Sequence, residues 1–164
     1  MFPLLLVGFD PRGGLRMILA ITGGRFDANG KPLNPPADQR RRFLYLLTNI
    51  RPTVLRHGNA VGTDTYIAAY VDWMQSFLPH SDELYKTLKD LVIIPFPVSP
   101  EDGHGKGAPN RRNCRMLDTP PPVQVLVAFP GGSGTAHCVR AAIKRGIEVW
   151  QWKGDSEMFE RITT

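Results

Sequence analysis

The densest concentration of ligand-binding chemistry in the chain is Phe129-Pro130-Gly131-Gly132-Ser133-Gly134-Thr135. It follows an apolar run and precedes a helical pattern. Glycines at 131, 132 and 134 let a backbone approach a ligand closely. The free N–H groups and dipole at the start of a helix favour a phosphate. Thr135 either caps that helix or offers its hydroxyl to the ligand. Thr22-Gly23-Gly24-Arg25 repeats the arrangement near the N-terminus, with Arg25 as a phosphate partner or a surface arginine. A third loop of this kind is His57-Gly58-Asn59-Ala60-Val61-Gly62-Thr63-Asp64. Its Asp64 has three possible roles, an acceptor for ribose hydroxyls, a base or a helix cap, and capping comes first. His57 is a site residue or a satisfied structural histidine, the latter favoured.

The fourth segment, Gly105 to Asn113, is marked by charge. The chain carries 20 Lys and Arg against 15 Asp and Glu, a net charge of +5. Residues 105–115 hold Lys106, Arg111, Arg112 and Arg115 and no acid, whereas residues 17–104 and 116–164 are each neutral. Four cations without an internal acid call for a counter-charge, which a bound phosphate supplies; a solvated basic loop is the alternative. A coat for nucleic acid spreads its basic residues over a face, and aromatics at 9%, scattered, make no base-stacking platform. Nucleic-acid binding is therefore the weakest of the functional expectations.

These loops need elements to hold them. Five short runs rich in β-branched residues end at turn residues: 17–21, 53–57, 91–94, 123–129 and 147–150. They read as strands buried on both faces of a parallel sheet. Helical spacing joins them over 38–50, 65–77 and 135–145, with a shorter helix around 113–117. Arg40, Arg41 and Arg42 fall on a solvated helix face. The order predicts an α/β fold: one mainly parallel sheet of about five strands, right-handed crossovers and helices on both faces. Residues 1–16 read as an N-terminal extension and 17–164 as the domain, because Pro11-Arg12-Gly13-Gly14 breaks two apolar runs. The Gly- and Pro-containing stretch 97–109 is a long functional loop, with Glu101 and Asp102 as exposed loop charges. Two isolated thiols, Cys114 and Cys138, form no metal-type pair and fit a reducing cytoplasm. No apolar run reaches the roughly 18 residues of a spanning helix, so no membrane partner is expected.

Taken in order, Ile21-Thr22-Gly23-Gly24-Arg25, His57 to Asp64, Gly105-Lys106 through Arg112-Asn113, and Ala128 to Thr135 resemble the YspA-type, cpYpsA-related branch of the SLOG superfamily of Rossmann-like domains. The resemblance covers about 17–150. It implies a nucleotide or nucleotide-derived ligand, no required cofactor, and often a homodimer, acting as sensor, carrier or altered hydrolase. The PGGxGT motif is shared with lysine-decarboxylase-like phosphoribohydrolases, which implies nucleoside-monophosphate phosphoribohydrolase activity as an alternative. Arg112 looks like the arginine those enzymes carry on a preceding helix. Their glutamate, two or three residues after the threonine, is absent: Ala136, His137 and Cys138 follow Thr135. Cleavage of an N-glycosidic bond builds positive charge that a carboxylate stabilises, and His137 supplies none. Asp64, Glu101 or Asp102 would have to substitute, and Asp64 with Arg112 is the catalytic pair expected. Single-stranded nucleic-acid binding, as in SLOG-related DNA-processing proteins, is the third expectation.

Overall fold

Apolar runs with alternating sides build the centre of the molecule, a computed structural model that describes residues 16–162. Strand β1 (Ile18–Thr22) is buried along its whole length, as are β2 (Val54–His57) and β4 (Val125–Ala128). With β3 (Val92–Pro95), β5 (Glu148–Lys153) and β6 (Met158–Ile162) they form one sheet in the order β3-β2-β1-β4-β5-β6. Every pairing is parallel except β5 with β6. The fold is a Rossmann-like α/β architecture with six strands, one more than expected. The extra strand is Met158–Ile162, a short antiparallel edge segment in which Phe159 alone is buried.

Alternation along the strands creates two cores. Leu19, Ile21, Leu55, Val125 and Val127 face α1 (Ala37–Ile50), α2 (Thr63–Phe77) and α3 (Glu83–Leu88). Phe43, Phe129 and Phe159 meet edge to face in this layer, with centroids 5.0–6.5 Å apart. Ile18, Ala20, Val54, Leu126 and Ala128 face the other side, against α4 (Ala108–Asp118) and α5 (Ser133–Lys144). The extension expected over 1–16 lies outside the described residues, save Arg16.

Three further expectations are corrected. Strand β3 is an edge strand with exposed or half-exposed residues, not a strand buried on both faces. Helix α4 spans Ala108–Asp118, longer than the short helix expected around 113–117, and α3 had no counterpart in the sequence reading. Of the three arginines on α1, Arg40 is not simply solvated. Its guanidinium donates to the Tyr66 hydroxyl at 3.0 Å and lies over the rings of Tyr66 and Tyr70.

Candidate functional site

Between β1 and β4 the strand order reverses, so the chain runs from there toward opposite edges of the sheet and leaves a crevice at that junction. Ligands of open α/β sheets bind in that crevice, at the carboxyl ends of the strands. A cleft of about 570 Å³ opens there. Of the residues expected from the sequence it is lined by Thr22, Gly23, Gly24, Arg25, Asp64, Lys106, Arg112, Asn113, Gly131, Gly132, Ser133, Gly134 and Thr135. A second cleft, of about 610 Å³, lies at the opposite edge against Gln124, Ile143, Ile147 and Ile162. Its charged residues are paired, Arg161 with Glu148 and Arg145 with Asp118, and no glycine-rich strand-to-helix loop opens into it.

The loops interlock by backbone contact. Gly24 N–H donates to Pro130 O at 2.9 Å, and Thr63 N–H to Gly24 O at 3.0 Å. A Cβ on Gly131 would stand 2.8 Å from the Gly24 nitrogen and against the Thr135 side chain, so glycine is required there by packing alone. Gly132 and Gly134 differ: a Cβ on either would meet nothing within 4 Å. Helix α5 begins beside them with Gly132 as its N-cap residue and no side chain capping it. Its first-turn N–H groups therefore face the cleft without intrahelical acceptors. Thr135 is inside the first turn and buried rather than the cap.

Asp64 is not a helix cap either. The N-cap position of α2 is Gly62, and Asp64 turns back into its own loop. Its Oδ2 accepts from Gly58 N–H at 2.9 Å, and the Ala60 amide adds a second bond. Burial raises its pKa to about 6, against the opposing pull of Arg112, these amides and Arg25. The carboxyl thus stays near neutral-range titration inside a cleft. His57 Nδ1 accepts from Asn59 N–H at 3.1 Å, and burial followed by the Arg112 charge lowers its pKa. His57, Gly58, Asn59 and Gly62 support the cleft from behind and do not line it.

The charge focus around residue 110 divides in two. Arg115 bonds Asp102 through Nε at 2.9 Å and Nη2 at 2.8 Å, and also reaches Pro97 O. Asp102 is buried, not an exposed loop charge, and the Arg115 hydrogen bond holds its carboxyl far below the usual range. Asp102 also closes a capping box with Ser99, which folds the long loop into a 3₁₀ turn over Pro100–Asp102. Arg111 donates to Asp102 O and His104 O and does not line the cleft. These two cations are neutralised or engaged within the loop, so the expectation that all four await a ligand is corrected.

Arg112 and Lys106 remain. Arg112 is 4% exposed and donates to Phe96 O and Asn113 Oδ1, both at 3.0 Å. Its guanidinium lies under Gly58, where a Cβ would come within 2.5 Å of Cζ. Burial lowers its pKa and Asp64 raises it, a reciprocal coupling across the cleft floor. Lys106 is exposed at the rim, and no ion pair among the described residues takes Lys106 or Arg25. Cys138, whose sulfur meets the Thr22 hydroxyl, is buried with its thiol pushed up to about 12, so it is no nucleophile. Among the described residues no cluster of His, Cys, Asp or Glu is arranged to hold a metal ion.

Sequence reasoning missed Phe26, Leu33, Pro109, Asn110 and Met116 on the cleft wall. Asn29-Gly30 was the available signal for the hairpin that carries Phe26 and Leu33. Among the described residues no helix is long and apolar enough to cross a membrane. No family model, no curated protein and no solved structure matches this chain.

Proposed function

We propose that the chain binds a nucleotide or nucleotide-derived ligand in the cleft between β1 and β4, in the manner of a SLOG domain. The ligand's phosphate sits at the N-terminus of α5, with Lys106 opposite and Arg25 at the rim. The observation that carries this reading is the pair Gly132 and Gly134. No neighbour forbids a side chain at either position. Gly134 even sits inside helix α5, where alanine is favoured by up to about 1 kcal/mol. A bare backbone at an uncapped helix start serves a ligand that approaches closely. Base and sugar lie toward Gly23, Gly24 and Asp64. The cytoplasm as the site of action and a role as sensor or carrier belong to the same proposal.

A calorimetric and thermal-shift screen with nucleoside mono-, di- and cyclic phosphates tests it. Gly134→Ala is the informative variant: the free protein becomes more stable, and affinity for the best ligand falls at least tenfold. Folded protein that binds none of these compounds, or unchanged affinity in the variant, overturns the reading.

Asp64 favours a second reading, N-glycosidic cleavage of a nucleoside monophosphate. A buried carboxyl raised to about 6 is suited to exchange a proton near neutral pH, and it supplies the carboxylate missing after Thr135. Release of free base and ribose 5-phosphate, lost in Asp64→Asn, is the expected outcome. Single-stranded nucleic acid draws little support, because Arg111 and Arg115 are engaged inside their own loop.

The homodimer belongs to the proposal too. Its surface is the outer face of α2, where Trp73 is 52% and Phe77 68% exposed. Their rings lie 5.0 Å apart, and Tyr70 stacks on Trp73.

A further inference from the structure

The β1–α1 connection is built as an arm over the cleft. Phe26 bridges Pro32 in antiparallel fashion. Asp27 N–H donates to Lys31 O at 2.8 Å, and Gly30 N–H to Asp27 O at 3.0 Å. The Asp27 carboxylate accepts from the Asn29 and Lys31 amides, and Leu33 N–H closes on Arg25 O at 2.9 Å. Leu33 packs over Gly24, so the arm is fixed at its base. These bonds hold a phenylalanine ring that is 53% exposed and lines the cleft. A single exposed apolar residue on a surface needs no explanation. One held on a hydrogen-bonded arm, inside a cleft whose other wall carries polar groups, is placed for a flat apolar partner. The arm leaves β1 toward the face that carries α1, whereas α4 and α5 start on the opposite face. The cleft thus has one wall of amides and cations and another of Phe26 and Leu33.

Resting on the nucleotide-binding reading above, we infer that Phe26 is the stacking platform for the ligand's aromatic base, with Leu33 beside it. The ligand class is accordingly a base-containing nucleotide, not a sugar phosphate alone. The chemistry is sequence-tolerant: every base offers a π-face, and stacking on one aromatic side chain is worth enough to change affinity by roughly 5- to 100-fold. Phosphate contacts at α5 would anchor the ligand, and the ring would select for the presence of a base.

The test compares adenosine, guanosine, cytidine and uridine 5′-monophosphates with ribose 5-phosphate by calorimetry, on the full chain and its Phe26→Ala and Phe26→Tyr variants. Expected is a loss of about 5- to 100-fold for the preferred nucleotide in Phe26→Ala. Ribose 5-phosphate should bind all three proteins alike, and Phe26→Tyr should retain nucleotide affinity to within about threefold. An equal loss for nucleotide and ribose 5-phosphate, or no loss for the nucleotide, overturns the role of Phe26 and leaves nucleotide binding standing. Binding of neither by the folded unsubstituted chain overturns nucleotide binding itself, and the base platform with it. Because the ring is half exposed, Phe26→Ala is expected to melt with the parent; a lower midpoint is corrected for by the ribose 5-phosphate arm.

Discussion

A carboxylate five per cent exposed, two amides bonded to it and a guanidinium nearby give Asp64 a measurable signature. Its pKa is raised in the folded state from 3.8 to about 6, so between those values the folded chain binds more protons than the unfolded one. Stability therefore falls as pH rises through this window and reaches its low plateau above the folded pKa. About two pH units correspond to roughly 3 kcal/mol of destabilisation at pH 7. Urea titrations of Asp64→Asn and the parent at pH 4.5, 5.5 and 7 should show their difference growing in favour of Asn by an amount of that order. A flat difference would mean that Asp64 titrates normally. Residue types in the loops told of a phosphate-like site, and thirteen of the eighteen residues so marked do line the cleft. The other five, His57, Gly58, Asn59, Gly62 and Arg111, stand outside its lining, and Arg111 shows the physical reason. Sequence shows that Arg111 is a cation but not that the carbonyls of Asp102 and His104 lie within its reach.

Among the elements, α4 carries most of the positioning. Its N-terminal half delivers Asn110, Arg112 and Asn113 to the cleft, and its C-terminal end is clamped by Arg56 from β2. Arg56 is 3% exposed and donates to Met116 O at 3.1 Å, Thr119 O at 2.9 Å and Pro121 O at 3.0 Å. The Phe96 ring lies beneath its guanidinium, and burial lowers its pKa without inviting a carboxylate partner. Arg56→Met keeps the volume and removes the donors, leaving the last carbonyls of α4 unpaired. The expected loss is about 3 kcal/mol in denaturant unfolding. A loss under about 0.5 kcal/mol, the range of an ordinary surface substitution, would show that water replaces the clamp. The strands at the sheet centre were legible because both their faces are buried, which writes a continuous apolar run. β6 was not, since an antiparallel edge strand with one buried residue leaves almost no pattern. Helix α3 is six residues long, too short for periodicity to register.

At the scale of the whole molecule, the cleft and the aromatic stripe of α2 are separate surfaces joined by one helix. The N-terminal turn of α2 brings Asp64 to the cleft, and the stripe of Tyr70, Trp73 and Phe77 runs toward its other end. Exposed aromatics in a row are costly in water and gain most when a matching row covers them. A second copy presents the same row about a twofold axis, which is the commonest way a soluble chain satisfies such a face. A stable pair needs about 1,000 Å² or more of buried surface, so neighbouring α1, with exposed Tyr45, would have to contribute. Sedimentation of the parent chain at micromolar concentration should give a dimer. Phe77→Glu, placing a charge on the most exposed ring of that stripe in each copy, should sediment as a monomer. Because the stripe lies off the cleft, the monomeric variant should bind nucleoside monophosphates within about twofold of the parent. A parent chain that is monomeric throughout would remove the dimer from the proposal. A variant that loses binding with its partner would mean that the cleft is completed across the twofold axis.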